Sequence, residues 1–511
     1  MAQLDLGAII GRLGRNSRSV AVATAVTALG GLATSMILSR WLGPAEYGKY
    51  SYITWLVGVV TLVANLGLPS TATRFIAEYR ALQPDWGRAL YRDMIWLESL
   101  AIVGMAAMLL LWGALRPSVF FTVGFATLLL IPMALSRLIT AVAGGLQRFE
   151  IGMVAQLICT PLQLVLLGII LLQEWGLQGV LCALLATEAV RLFLLAWGVQ
   201  QHWGTDREER LRGEERRRII RFAATVFTLT LVDAVVWQKS EVFFLERFAT
   251  MEAVAVYSLA YGLTFTIMQL PVAVSNVLYP ILVQVQETNG EEVSRGYGLM
   301  IKYMALLVIP VGALAMLFAP QVVQLLYGEE YAGAVPVLRV LMVAGIVATF
   351  CRPSSMALYS AEKQNFILGV TLLIAIGNVL ADLVLIPRYG AIGAAWANSS
   401  VQIAGVVAGT LFLVGRMKYT FPLVEVLKIS ASAGAATLLL HAIGDALAPW
   451  PHTLLSMVLF PVLMGLGLKI SRPWNDDDVR IATIVQERCS PPLARALASA
   501  TRWLGIVTSE R

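Results

Sequence analysis

Runs of about twenty apolar residues recur along almost the whole chain, and they dictate what it can fold into. A helix rises about 1.5 Å per residue, so about 20 apolar residues cross the roughly 30 Å hydrocarbon core of a bilayer. Such runs fall at residues 19–39, 51–70, 94–115, 119–142, 152–172 and 177–199, and then at 222–245, 254–283, 303–323, 334–358, 366–386 and 391–415. Two weaker runs follow at 429–447 and 454–468. The composition agrees, because 58% of the 511 residues are hydrophobic and 14% charged, where soluble domains average about 45–50% and about 25%. The expected fold class is all-α integral membrane, with about 14 transmembrane helices in two six-helix lobes plus two C-terminal helices.

Charge placement orients the bundle. The first run follows Arg12, Arg15 and Arg18 and is too long for the apolar region of a cleavable signal, about 7–15 residues, so it is read as a retained span. With the N-terminus in the cytosol, 23 Lys and Arg residues fall in the inner connections, and the outer ones hold only Arg40, Lys49, Arg116, Arg247 and Arg388. Cytosolic loops collect positive charge, so both termini are expected in the cytosol. The net charge of +6 follows from this bias and argues for no nucleic-acid partner. Cys159, Cys182 and Cys351 lie inside apolar runs and Cys489 in the tail, which is no disulfide scaffold.

The polar stretch 200–221 divides the chain. It separates a lobe at 1–199 from a lobe at 222–415; two further helices within 416–470 and a cytosolic tail at 471–511 follow. Tyr47-Gly48-Lys49-Tyr50-Ser51 before the second run is echoed by Val254-Ala255-Val256-Tyr257-Ser258 before the eighth, and Trp175-Gly176-Leu177-Gln178-Gly179 by Tyr389-Gly390-Ala391-Ile392-Gly393. Even-numbered units share one orientation, as in transporters built from parallel repeats. In the tail, residues 493–507 form an amphipathic stretch suited to the inner membrane surface.

Several motifs imitate chemistry. Gly43-Pro44-Ala45-Glu46-Tyr47-Gly48-Lys49-Tyr50 nearly fits a phosphate loop, but Tyr50 stands where Ser or Thr would hold magnesium, and no strand precedes it. Asp476-Asp477-Asp478 sits in a tail too short for a catalytic domain. His202, His441 and His452 lack metal-ligand spacing. No catalytic constellation, cofactor motif or metal site is read, and Gly405 with Gly409 reads as close helix packing.

The informative residues are the charges inside the apolar runs, which cost roughly 2.5–3.5 kcal/mol each near the bilayer centre by insertion scales. Arg137, Arg191, Lys239, Arg339 and Arg352 are basic; Glu98, Glu188, Asp233, Glu241 and Asp382 are acidic. Snorkelling to a helix end competes for Arg137, Lys239, Arg339 and Arg352, and pairing with Glu188 three residues earlier competes for Arg191. Asp233, Trp237 and Glu241 fall on one helical stripe of the seventh run, with Lys239 turned away. Together the basic residues suit a cavity accepting an anion, and arginine's planar fork matches phosphate. Asp233, Glu241 and Asp382 are candidates for ion coupling. Prolines 132, 161, 271, 280, 310 and 353 offer kinks.

The chain resembles the Wzx-type polysaccharide and O-antigen flippases of the multidrug/oligosaccharidyl-lipid/polysaccharide exporter superfamily over nearly its whole length. The resemblance rests on Leu42-Gly43-Pro44-Ala45-Glu46-Tyr47-Gly48-Lys49-Tyr50-Ser51, on Asn65-Leu66-Gly67-Leu68-Pro69 leading to Arg74, on Leu326-Tyr327-Gly328-Glu329-Glu330-Tyr331, and on Tyr389-Gly390-Ala391-Ile392-Gly393-Ala394-Ala395. It implies a two-lobed transporter, not an enzyme, in a bacterial plasma membrane. Its substrate would be a polyprenyl-diphosphate-linked oligosaccharide moved to the outer leaflet by alternating access, its partners membrane lipids and polysaccharide polymerase machinery. The candidate headgroup residues are Arg74, Arg137, Arg191, Lys239, Arg339 and Arg352; the motif carries Arg74, and the charge reading carries the rest. A cation-coupled drug antiporter of the same superfamily is disfavoured by the absence of Asp and Glu from residues 19–39. A lipid II flippase shares the fold and the anionic substrate class, and a membrane polymerase or ligase would need a large outer loop that is not seen.

Overall fold

A computed structural model of the chain describes residues 6–82, 84–116, 120–202, 213–237, 240–286, 290–360, 363–444, 449–475, 477–479, 498–499 and 501–506. The described residues form helices α1 (Leu6–Ala64), α2 (Leu68–Leu82), α3 (Pro84–Leu115), α4 (Phe120–Gly145), α5 (Phe149–Gln173), α6 (Gly176–Gln200), α7 (Gly213–Trp237) and α8 (Glu241–Phe248). The chain continues through α9 (Met251–Gln286), α10 (Gly290–Leu317), α11 (Ala319–Tyr327), α12 (Ala334–Thr349), α13 (Cys351–Ser360), α14 (Gln364–Met417), α15 (Leu423–Gly444) and α16 (Pro449–Ser471). No strand occurs among them. The fold is all-α, and eleven helices among the described residues are long and apolar enough to cross a membrane.

Two of those segments, Val22–Ala64 and Asn365–Met417, run to 43 and 53 residues. At about 1.5 Å per residue each exceeds twice the hydrocarbon thickness, so each must turn. A glycine with positive φ supplies the turn: Gly43 (φ 72°) in α1 and Gly390 (φ 57°) in α14. Pro44 then starts the next helix, where its missing N–H costs nothing. The imitation phosphate loop is therefore a helix junction. Gly176, matched to Gly390 by sequence, also has positive φ (60°) at the start of α6.

Three expected spans are interrupted. The second stops at Ala64, turns through Asn65, Leu66 (φ 50°) and Gly67 (φ 72°), and resumes as α2. A Cβ on Gly67 would meet the Ala223 carbonyl and Phe227 amide of α7 at 2.6 and 2.8 Å, so both conformation and space require glycine. The ninth breaks at Phe318, with Pro320 in the first turn of α11. The seventh ends as α7 at Trp237, and Glu241 belongs to the first turn of the separate α8. The expected stripe of Asp233, Trp237 and Glu241 runs over residues 238–239 and the side chains of Asp233 and Trp237, which lie outside the described residues.

The chain divides into two compact units, Met1–Leu259 with Asn378–Ala394, and Ala260–Gly377 with Ala395–Arg511. In the first unit, small residues such as Ala126, Ala134, Ala143 and Ala155 are buried where helices approach. Leu110, Leu111, Phe120 and Phe193 stay exposed. That is the pattern expected in lipid, where close packing rather than expulsion of apolar groups from water holds helices together. In the second unit, Gly405 packs closely against the Ile374 side chain, which a Cβ would displace. The tail is anchored there by the acidic motif: Asp477 takes the Arg295 guanidinium, with Nε at 2.7 Å, and Asp478 accepts from buried Lys302 and from Tyr303 at 2.7 Å. Trp503 lies against Gly465 of α16, and within the stretch 493–507 the described part contacts protein.

Candidate functional site

Two polar clusters in the first unit hold most of the described intramembrane charge. The first joins α1, α4, α5 and α6. On α6, Arg191 Nη1 binds Glu188 Oε1 at 2.7 Å; Glu188 is 6% exposed and Arg191 25%. The three-residue spacing makes this pair local, as the competing reading of Arg191 required. Arg137, exposed on α4, and Tyr50 of α1 are close enough to Glu188 to interact with it electrostatically. Arg191 also hydrogen-bonds Cys159 of α5, while its Nε is buried without a hydrogen-bond partner. Next to Cys159, the Gln156 amide donates to the Thr160 hydroxyl at 2.8 Å.

Two guanidinium groups thus share one carboxylate, which leaves a single positive charge in excess. A buried donor with no partner costs roughly 1–3 kcal/mol, and an anion oxygen beside Arg191 would relieve that cost. The arrangement suits an anion.

The second cluster is acidic. On α14, the Asn378 amide donates to Ser240 Oγ at 3.0 Å, to Glu241 Oε1 at 3.2 Å and to Asp382 Oδ2 at 3.4 Å. Glu241 and Asp382 are both fully buried, and Asp382 Oδ1 has no hydrogen-bond partner. Two carboxylates around one amide repel each other and lack water, so the arrangement suits one added positive charge. Ser240 and Asn378 are partners that the sequence reading missed; Asn378 lies four residues before Asp382 on its helix, and that spacing was the available signal.

The other candidates lie apart from these clusters. Arg74 on α2 stacks on Phe222, 4.5 Å from the ring centroid, and on Phe75 at 5.4 Å. Beside it, Arg218 grips Glu78 with two bonds of 2.9 and 3.2 Å, and the Tyr79 hydroxyl donates to Glu215 at 2.9 Å. Burial and this bond to Glu215 push the Tyr79 phenol well above its usual range. In the second unit, Arg339 is exposed on α12 and its Nε donates to the Met316 carbonyl at the end of α10, 3.2 Å away. A cation there complements the helix terminus. Lys239 lies outside the described residues, and so do the side chains of Asp233 on α7 and Arg352 on α13. Among the described residues, no group of His, Cys, Asp and Glu has a metal-binding arrangement.

Residues 13–286, more than half the chain, match the family described as "Polysaccharide biosynthesis protein". The chain belongs to this family. One relative, the teichuronic acid biosynthesis protein TuaB of Bacillus subtilis (strain 168), is 24% identical over 192 residues, which is 37% of each chain. The chain therefore matches little more than a third of that relative's length. Among solved structures, the lipid II flippase MurJ in an inward closed conformation superposes with a TM-score of 0.72 at 14% identity, over 88% of this chain and 98% of MurJ. An inward-facing multidrug resistance MATE family transporter of the MOP superfamily gives 0.60 at 20% identity, over 77% and 94%. These likenesses establish the fold. The chain is thus a multi-pass membrane protein of a polysaccharide biosynthesis family, with the fold found in MurJ and MATE transporters.

Proposed function

We propose that the protein flips a polyprenyl-diphosphate-linked oligosaccharide from the inner to the outer leaflet of a bacterial plasma membrane by alternating access, with both termini in the cytosol. The observation that carries this reading is the Arg137–Arg191–Glu188 cluster, where a positive excess and an unpartnered guanidinium donor sit among buried helices. The diphosphate would take the excess charge, and Gln156, Thr160 and Tyr50 would contact the sugars. Arg74, Lys239, Arg339 and Arg352 would be further cationic contacts for the headgroup. The protein acts by moving its substrate, not by transforming it, and hands it to polymerase machinery at the outer face.

An inside-negative potential favours outward movement of an anion by about 2.3 kcal/mol per charge per 100 mV. The Glu241–Asn378–Asp382 cluster would add ion coupling by binding a proton or a sodium ion on the return step, with Asp233 as a further contributor.

Deletion of the gene tests the reading. Accumulation of a lipid-linked saccharide on the cytosolic leaflet is the expected result, and no accumulation with altered drug sensitivity would favour an antiporter. Reconstituted protein offered fluorescent lipid II beside the accumulated saccharide would separate the two flippase readings.

A further inference from the structure

We infer that the break in the second membrane helix is a proton-binding site, with Glu98 of α3 as the group that carries the proton. α1 ends at Ala64 and α2 begins at Leu68, with Leu66 and Gly67 both in the left-handed region between them. A helix end leaves backbone carbonyls without intrahelical partners and carries partial negative charge. Inside a membrane such a break persists where protein encloses it, and transporters place coupling ions at such unwound points.

Asn65 occupies the break and is buried. Its amide donates to Glu98 Oε1 and to the Ala134 carbonyl of α4, the latter at 3.3 Å. Glu98 is fully buried, while its neighbours Trp96, Leu97 and Leu100 are exposed on the other side of α3. Its second oxygen, Oε2, has no hydrogen-bond partner. Thr61, one turn before Asn65 and on the same helix face, is fully buried with a hydroxyl that also has no partner. From the packed elements α1, α2 and α4, Asn65 is the described side chain that acts on Glu98, and no described ion pair reaches it.

An ionised carboxylate so placed lacks any compensating charge, which a buried site does not tolerate. A metal ion would need about four to six oxygen ligands. Here the amide N–H groups already occupy Glu98 Oε1 and the Ala134 carbonyl, which leaves Glu98 Oε2 and the Thr61 hydroxyl as the described side-chain oxygens without a partner. Two free oxygens suit a proton: a neutral carboxyl keeps its bond from Asn65 and gains an O–H donor. This site is separate from the Glu241–Asp382 pair and gives the N-terminal helices a titratable group of their own.

Infrared difference spectroscopy of the full-length protein in lipid nanodiscs, stepped between neutral and alkaline pH, tests the inference without any lipid-linked substrate. A failure of the flippase reading would therefore leave the result standing. The expected result is a protonated-carboxyl band in the wild type that is lost in Glu98→Gln and is unaffected by exchanging KCl for NaCl. Asn65→Ala, which removes the donor to Oε1 and keeps the carboxyl, is expected to shift that band, and it decides the matter alone if Glu98→Gln does not fold. A band set unchanged by both substitutions, or a band abolished by NaCl at constant pH, would overturn the proton assignment.

Discussion

The cationic cluster on α4–α6 and the acidic cluster on α8–α14 belong to the same compact unit, yet they are built on opposite plans. In the first, Arg191 is a quarter exposed and Arg137 more so, and the one carboxylate present leaves positive charge over. In the second, two carboxylates are sealed from solvent around one amide. Exposure with surplus charge describes a place that a large ligand enters; sealed like charges describe a place that a small ion neutralises. The contrast explains how one lipid-embedded unit could hold an anionic headgroup without collapsing its own acids onto its arginines.

The largest expected effect breaks the cationic side. Arg191→Ala should lower flipping in proteoliposomes at least tenfold, equivalent to about 1.4 kcal/mol, and should destabilise the fold by removing the direct ion-pair partner of buried Glu188. Adding Glu188→Ala should restore thermal stability and leave flipping impaired. Recovery of both would reduce Arg191 to a structural partner. On the acidic side, Asp382→Asn removes one of two facing charges, so thermal stability in detergent should rise while any dependence of flipping on a proton or sodium gradient weakens. A fall in stability would mean that the pair already shares a tightly held cation.

Smaller effects bear on the scaffold that both clusters share. Gly67→Ala forces a Cβ into the α7 backbone and should cost roughly 1–3 kcal/mol, the range for strained left-handed residues, measured as loss of folded protein on heating. Tyr79→Phe removes a hydrogen bond to Glu215 and should cost about 0.5–1.5 kcal/mol. Because the folded phenol titrates above its ordinary value of about 10, that contribution should be full below pH 10 and lost as pH rises further. Tyr79→Phe should therefore abolish this alkaline loss of stability.

Much of this architecture was legible in the sequence, because crossing a bilayer demands apolar length that nothing else in the chain imitates. α3 ends at Leu115 as expected, and Gly176 and Gly390, matched in the sequence as an internal repeat, both take positive φ. Arg191 and Glu188 were also readable, since their partnership is local. The breaks were less so: Asn65-Leu66-Gly67 looks like the end of a span until α7 is known to press on Gly67. Asn378 escaped notice because its partners Ser240 and Glu241 are 138 and 137 positions away, and helix periodicity carries no information across such a distance. The bond from Arg339 to the end of α10 could not be read either, because its partner Met316 is 23 positions away.

The most direct test of the central claim is the flipping rate of a fluorescent polyprenyl-diphosphate oligosaccharide by purified protein in proteoliposomes, compared between wild type and two double variants. Arg137→Ala/Arg191→Ala should abolish flipping, and Glu188→Ala/Arg191→Lys, which keeps two positive charges and removes the competing carboxylate, should retain a substantial part of it. Wild-type flipping by the folded Arg137→Ala/Arg191→Ala protein would contradict the assignment of the positive excess on α4–α6 to the diphosphate.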